Sequence, residues 1–234
     1  MMKSIYIYGH LGMGDHISCN GIIRFYAEKY DRVYVFCKPK YAKNVLWMFR
    51  DNLNIHVLPM EEDQIRLFMN INPHHEFLIV GHEKLHEELR RDPNGRFDQV
   101  FYKMAGVPFE DKWNRFYFER VSEIEKDVYY NKLKLKDDSE FIFVHDDFER
   151  PIPYNRLPTD IRIIKPDRKD ISIFDFLYTI EKAKEVHCID SSFFNLIDCI
   201  QLRQDENLYF HKYVKIHLVG EGGTPTTKLP WKIL

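Results

Sequence analysis

The chain begins with a run that leaves the backbone few choices. Ser4-Ile5-Tyr6-Ile7-Tyr8 is β-branched and aromatic. Gly9-His10-Leu11-Gly12-Met13-Gly14-Asp15 follows, and then an apolar-periodic stretch over 16–29. That order predicts a strand, a glycine-rich turn and a helix. A parallel strand must then return through a crossover. The pattern continues with strands at 33–37, 55–59 and 76–82 and helices near 40–50 and over 61–71. These strands lack a clean period of two, as expected where helices cover both faces of a parallel sheet. Residues 83–131 read as mostly helical, and Ser122–Leu135 as a charged helix. Lys136-Asp137-Asp138-Ser139 is a polar break, after which the pattern restarts. Strands are predicted at 140–147, 161–166, 185–190 and 213–220, with helices at 171–183 and 191–203. The expectation is an α/β chain of two tandem Rossmann-like domains facing a cleft, 1–135 and 136–220, with an irregular tail over 221–234. In such sheets ligands bind beyond the carboxyl ends of the strands.

Composition narrows the partners. Lys and Arg total 34 and Asp and Glu 36, a net charge of -2, which argues against nucleic acid as a partner. No apolar run approaches the roughly 20 residues that span a bilayer. The N-terminal run reads as a strand and not a signal peptide. Cys19, Cys37, Cys188 and Cys199 show no paired spacing and read as reduced thiols. A cytoplasmic location is expected.

Several clusters carry candidate chemistry. The Gly9–His16 loop has neither the dinucleotide spacing nor the GK[ST] of a P-loop. Asp15, at the mouth of a parallel sheet, suits a general base towards a hydroxyl, or a simple helix cap. Ser191 and Ser192 open a helix after a strand and suit a phosphate, or an ordinary N-cap. Arg150 and Lys165 are cations near the ends of two strands. They suit a phosphate; the alternative for the 145–150 loop is a set of internal ion pairs. His82-Glu83-Lys84-Leu85-His86 has the HExxH pattern. It starts directly after a strand, with a charge at an inner position, so no metal site is expected and His82 reads as a helix-start residue.

Gly12-Met13-Gly14-Asp15 resembles the loop of heptosyltransferase-like enzymes. Ile180–Phe193 resembles the helix–strand–helix on the donor side of heptosyltransferases and fucosyltransferase-like enzymes. The chain thus resembles the GT-B glycosyltransferases. Departures are its shorter length, Ser192 and Phe193 where the heptosyltransferase donor signature has other residues, and Asp146-Asp147 in the loop after His145. The resemblance implies a metal-independent, inverting transfer of a sugar from a nucleotide-diphosphate donor to a glycan or other hydroxyl acceptor. No cofactor is implied beyond that co-substrate. Asp15 is the implied base. Arg150, Lys165, Asp190, Ser191, Ser192 and Phe193 are the implied donor contacts, and Gly12, Met13, Gly14, His16 and His82 the acceptor contacts. The alternatives are a nucleotide-sugar epimerase or hydrolase and a non-catalytic binding module.

Overall fold

The computed structural model describes residues 2–92, 95–167, 170–204, 206–212 and 225–234. The expected strand at 213–220 lies outside them. The chain forms two units. The first runs to Glu119 and takes in Pro225 and Thr226; the second runs from Arg120 and takes in the last residues from Thr227.

Unit one holds β1 (Ser4–Tyr8), α1 (Met13–Ser18), α2 (Asn20–Ala27), β2 (Arg32–Cys37), α3 (Ala42–Phe49), β3 (Ile55–Pro59), α4 (Glu62–Ile71), β4 (Phe77–Ile79), α5 (Glu83–Arg91), α6 (Phe97–Ala105) and α7 (Asp111–Asn114). Its sheet is parallel, in the order β3-β2-β1-β4. The unbroken apolar strands follow from cover on both faces. Tyr8, Leu11, Phe36 and Ile65 pack in one core cluster, and Ile22, Val80, Phe101 and Tyr102 in another. A capping box of Glu61 and Gln64 starts α4, and Gly106, at φ 62°, ends α6.

The helix expected over 16–29 is two helices, and it starts earlier. Gly12 is already the N-cap, and the helix breaks at Cys19 (φ −90°, ψ 3°). At the break Tyr102 Oη donates to the Ser18 carbonyl at 3.0 Å, and the Asn20 amide is bonded to the Tyr117 backbone. These tertiary bonds compete with the helical ladder.

Unit two holds α8 (Ser122–Asp127), a π-helical turn (Val128–Lys132), β5 (Phe141–His145), β6 (Arg162–Ile164), α9 (Leu177–Lys182), β7 (Glu185–Cys188), α10 (Ser192–Ile200), β8 (Leu208–Phe210) and β9 (Lys232–Ile233). Its parallel sheet has the order β6-β5-β7-β8-β9. The division falls before α8, earlier than the polar break at 136–139. Arg120 is paired with Glu125 and Glu181, and buried Val128 and Tyr129 belong to this unit's core, with the Tyr129 ring against Phe141 and Tyr178. The tail is not irregular throughout. Buried Asp198 accepts from Lys228 N at 3.0 Å, Leu229 N at 3.0 Å and Trp231 Nε1 at 3.3 Å, and β9 then pairs with β8. In unit one, buried Asp98 takes Thr226 N at 2.9 Å and Lys112 Nζ at 2.7 Å.

Candidate active site

Each sheet reverses once. Unit one lays β1, β2 and β3 outward and returns to place β4 on the free side of β1. Unit two lays β5 and β6, then places β7 on the free side of β5. At such a reversal the loops leaving neighbouring strands part and leave a crevice. The sequence-derived candidates fall at these two places. Gly12–His16 and His82 follow β1 and β4. Asp190–Phe193 follow β7, while Arg150 and Lys165 follow β5 and β6.

At the unit-one reversal Asp15 stands in the first turn of α1, half-buried. Its carboxylate folds back on Gly12: a Cβ there would lie 2.6 Å from Oδ2. Met13 is buried and His16 only 3% exposed. Both correct the expectation of acceptor contacts, because the early helix start turns these side chains inward. Among the described residues His16 Nε2 has no hydrogen-bond partner, and burial lowers its pKa to about 4. Gly14 is now a residue of α1. His82 is the N-cap of α5 at φ 57°, ψ −140°. Its backbone is not helical, so the HExxH pattern does not lie within one helix. His82 Nε2 bonds the Gly9 carbonyl at 3.0 Å, its backbone N donates to His10 Nε2 at 2.7 Å, and its ring lies 4.0 Å from Tyr8. Tyr8, Arg66, Met69, Asn70, Ile79, Gly81, His82 and Lys84 line an adjoining cavity of about 250 Å³.

At the unit-two reversal Ser191 is the N-cap of α10, accepting from Phe194 N at 3.3 Å. It also bonds His145 Nδ1 at 2.8 Å, across from β7 to β5. Burial lowers the His145 pKa to about 4, so the ring is neutral at ordinary pH. Ser192 and Asp190 are half-buried at the same edge. Phe193 points the other way, 3% exposed, against Phe143, Phe176 and the His145 ring. It is a core residue and corrects the expectation of a donor contact. Arg150 reaches the site, donating to the Asp190 carbonyl at 3.0 Å, but its other nitrogens are taken by Asp147. Lys165 Nζ lies 2.6 and 2.7 Å from the Asp146 oxygens. Both expected phosphate cations are thus locally paired. Although burial opposes it, Arg150 holds the Asp147 carboxyl below its ordinary value. His145, Asp146, Asp147, Phe148, Pro151, Lys165, Pro166 and Asp167 line a cavity of about 470 Å³, and Phe148 is fully exposed at it.

Sequence reasoning does not select His10 or His145. Each closes or follows the first strand of its unit, which is the one signal that points to them. Among the described residues no group of His, Cys, Asp and Glu is arranged to hold a metal, and no helix is long and apolar enough to cross a membrane.

No family model and no curated protein matches the sequence. Solved structures do match. The glycosyl transferase family 9 protein of Veillonella parvula superposes with a TM-score of 0.58 at 11% identity, over 99% of this chain and 86% of that one. E. coli ADP-heptose LPS heptosyltransferase II does so with a TM-score of 0.51 at 12% identity, over 100% and 90%. The fold is that of solved glycosyltransferases. At these identities the likeness is one of fold, and it agrees with the α/β, two-unit architecture that the GT-B resemblance implied.

Proposed function

We propose that the chain is a glycosyltransferase that moves a sugar from a nucleoside-diphosphate donor to an acceptor hydroxyl. The observation that carries this reading is the placement of an acid and of a hydroxyl-capped helix start at the two sheet reversals, in a fold shared with glycosyltransferases.

Unit two takes the donor. The backbone N–H groups opening α10, with the Ser191 and Ser192 hydroxyls, meet the diphosphate, and the helix dipole offsets its charge without a metal. Arg150 and Lys165 contribute only by exchanging Asp147 and Asp146 for phosphate oxygens. Unit one takes the acceptor, in the cavity beside His82 and Gly81, with Arg66 and Lys84 in its wall. Asp15 removes the acceptor proton. The acceptor oxygen bonds the anomeric carbon as the bond to the phosphate oxygen breaks. The nucleoside diphosphate leaves, and the configuration inverts.

A thermal-shift panel of UDP, GDP, CMP, ADP and dTDP, followed by acceptor assays with the sugar nucleotide of the base that binds, tests this. One nucleotide raising the melting temperature, and transfer that Asp15→Asn abolishes while donor binding persists, is the expected result. Nucleotide release without an acceptor assigns a hydrolase. Binding without turnover across acceptors assigns a binding module.

A further inference from the structure

The geometry points to His10 as the positioning residue of the unit-one site: its ring, by accepting the His82 amide, locks the turn after β4 to the loop that leads into the helix carrying Asp15. This rests on the reading above, in which Asp15 is the base, and adds the part that holds it.

Backbone N–H only donates. The 2.7 Å bond from His82 N therefore places a lone pair on His10 Nε2 and the ring proton on Nδ1. A carbonyl only accepts, so the 3.0 Å bond to the Gly9 oxygen places a proton on His82 Nε2. Two bonds of opposite sense thus tie residues 9–10 to residue 82 across the reversal. The backbone is bent to make them. His82 has φ 57° and ψ −140°, a conformation disfavoured for any side-chain-bearing residue, and Gly81 has φ 90°. A Cβ on Gly81 would lie 2.4 Å from His10 Cδ2, so the ring fills space that only glycine leaves. The ring also packs edge-on against buried Phe101, 5.2 Å between centroids. Gly9, His10, Asp15 and His16 together line a cavity of about 10 Å³, so the clamp and the acid share one wall. Burial, with His82 and His86 nearby, lowers the His10 pKa to about 4, which keeps the accepting lone pair at neutral pH.

His10→Leu and His10→Gln separate this role from simple packing. The glutamine amide oxygen can accept from the His82 amide; leucine cannot. Amide hydrogen exchange at His82, measured without substrates, is expected to be slow in the wild type and His10→Gln and fast in His10→Leu. In transfer with the donor found by the nucleotide panel, His10→Leu is expected to lower kcat about 100-fold, the scale of an ångström's misplacement, with donor KM unchanged. His10→Gln should recover most of it. Full kcat in His10→Leu, slow exchange at His82 in that variant, or a glutamine variant as slow as the leucine one overturns the proposal. If His10→Leu does not fold, His10→Phe, whose ring fills the space but cannot accept the His82 amide, takes its place with the same expected outcomes. If the wild type transfers no sugar, the function proposed above falls. Unchanged His82 exchange in both variants would then overturn the clamp as well, and fast exchange confined to His10→Leu would uphold it.

Discussion

The two sheet reversals occupy the same topological position and are built differently. At the first, a carboxylate lies folded on a glycine, two histidines cross-brace the loops, and the helix that follows starts without a side-chain cap. At the second, a serine caps the helix and bonds a histidine, and the nearby cations are occupied by carboxylates. The larger cavity, about 470 Å³ against about 250 Å³, is at the second. An acid in the first turn of a helix, with the loop before it cross-braced, suits the removal of a proton from a fixed geometry. A serine-capped helix start suits an anion that arrives and leaves. The fold offers the two places; in the proposed function the side chains divide the labour.

The division can be broken at its strongest point first. Asp15→Asn is expected to lower transfer by about 10²–10⁴-fold with donor affinity unchanged, measured by steady-state kinetics and calorimetry. A loss of donor affinity instead would mean that the acid serves the other substrate. Phe193→Ala comes next. As a buried aromatic it should cost about 3–5 kcal/mol in denaturant unfolding. A stable variant with weakened donor binding would restore the side chain to the site.

The pH dependence follows from the neutral histidines. Their folded pKa values, about 4 for His10, His16 and His145, lie below the unfolded value near 6.5. The unfolded chain therefore binds more protons between those values. The stability is present above pH 6.5 and is lost as pH falls towards 4. For fully buried His16 the loss is on the order of 3 kcal/mol. Melting temperatures from pH 7.5 to 4.5 should fall, and less steeply in a folded His16→Gln. An equal slope in that variant contradicts the assignment. Ser191→Ala should cost about 1 kcal/mol as a lost cap and also weaken diphosphate binding. Lost stability with unchanged binding would leave Ser191 a cap alone. The smallest stability effects are expected within one loop. A Cβ at Gly9 would meet none of the described residues within 4 Å, whereas one at Gly12 would lie 2.6 Å from Asp15 Oδ2. Gly9→Ala should leave activity near wild type, and Gly12→Ala should fold well yet lose activity by displacing the carboxylate. Equal activities would detach Asp15 from the chemistry.

Much of this is legible in the residues. The alternation of β-branched runs with apolar-periodic segments marks β1 to β7, because doubly covered strands are apolar throughout. β8 and β9 fall outside the predicted strands; their pairing comes from neighbours in space. The helix break at Cys19 is hidden because it depends on Tyr102 and Tyr117, far along the chain. Asp15 and Ser191 stand out because each opens a helix after a strand. Arg150 and Lys165 look available in the sequence because their partners, Asp147 and Asp146, are ordinary loop acids until the fold sets the distance. His10 and His145 gain their meaning only when the strand beside their own is in place.

The most direct test of the division is a backbone amide titration of the whole chain with the same five nucleotides, followed by NMR. The account predicts that one nucleoside diphosphate shifts the amides of His145 and of 190–194, leaves Asp15 and His82 unmoved, and loses affinity in Ser191→Ala. Shifts centred on Asp15 and His82, or no binding by any of the five, would contradict it.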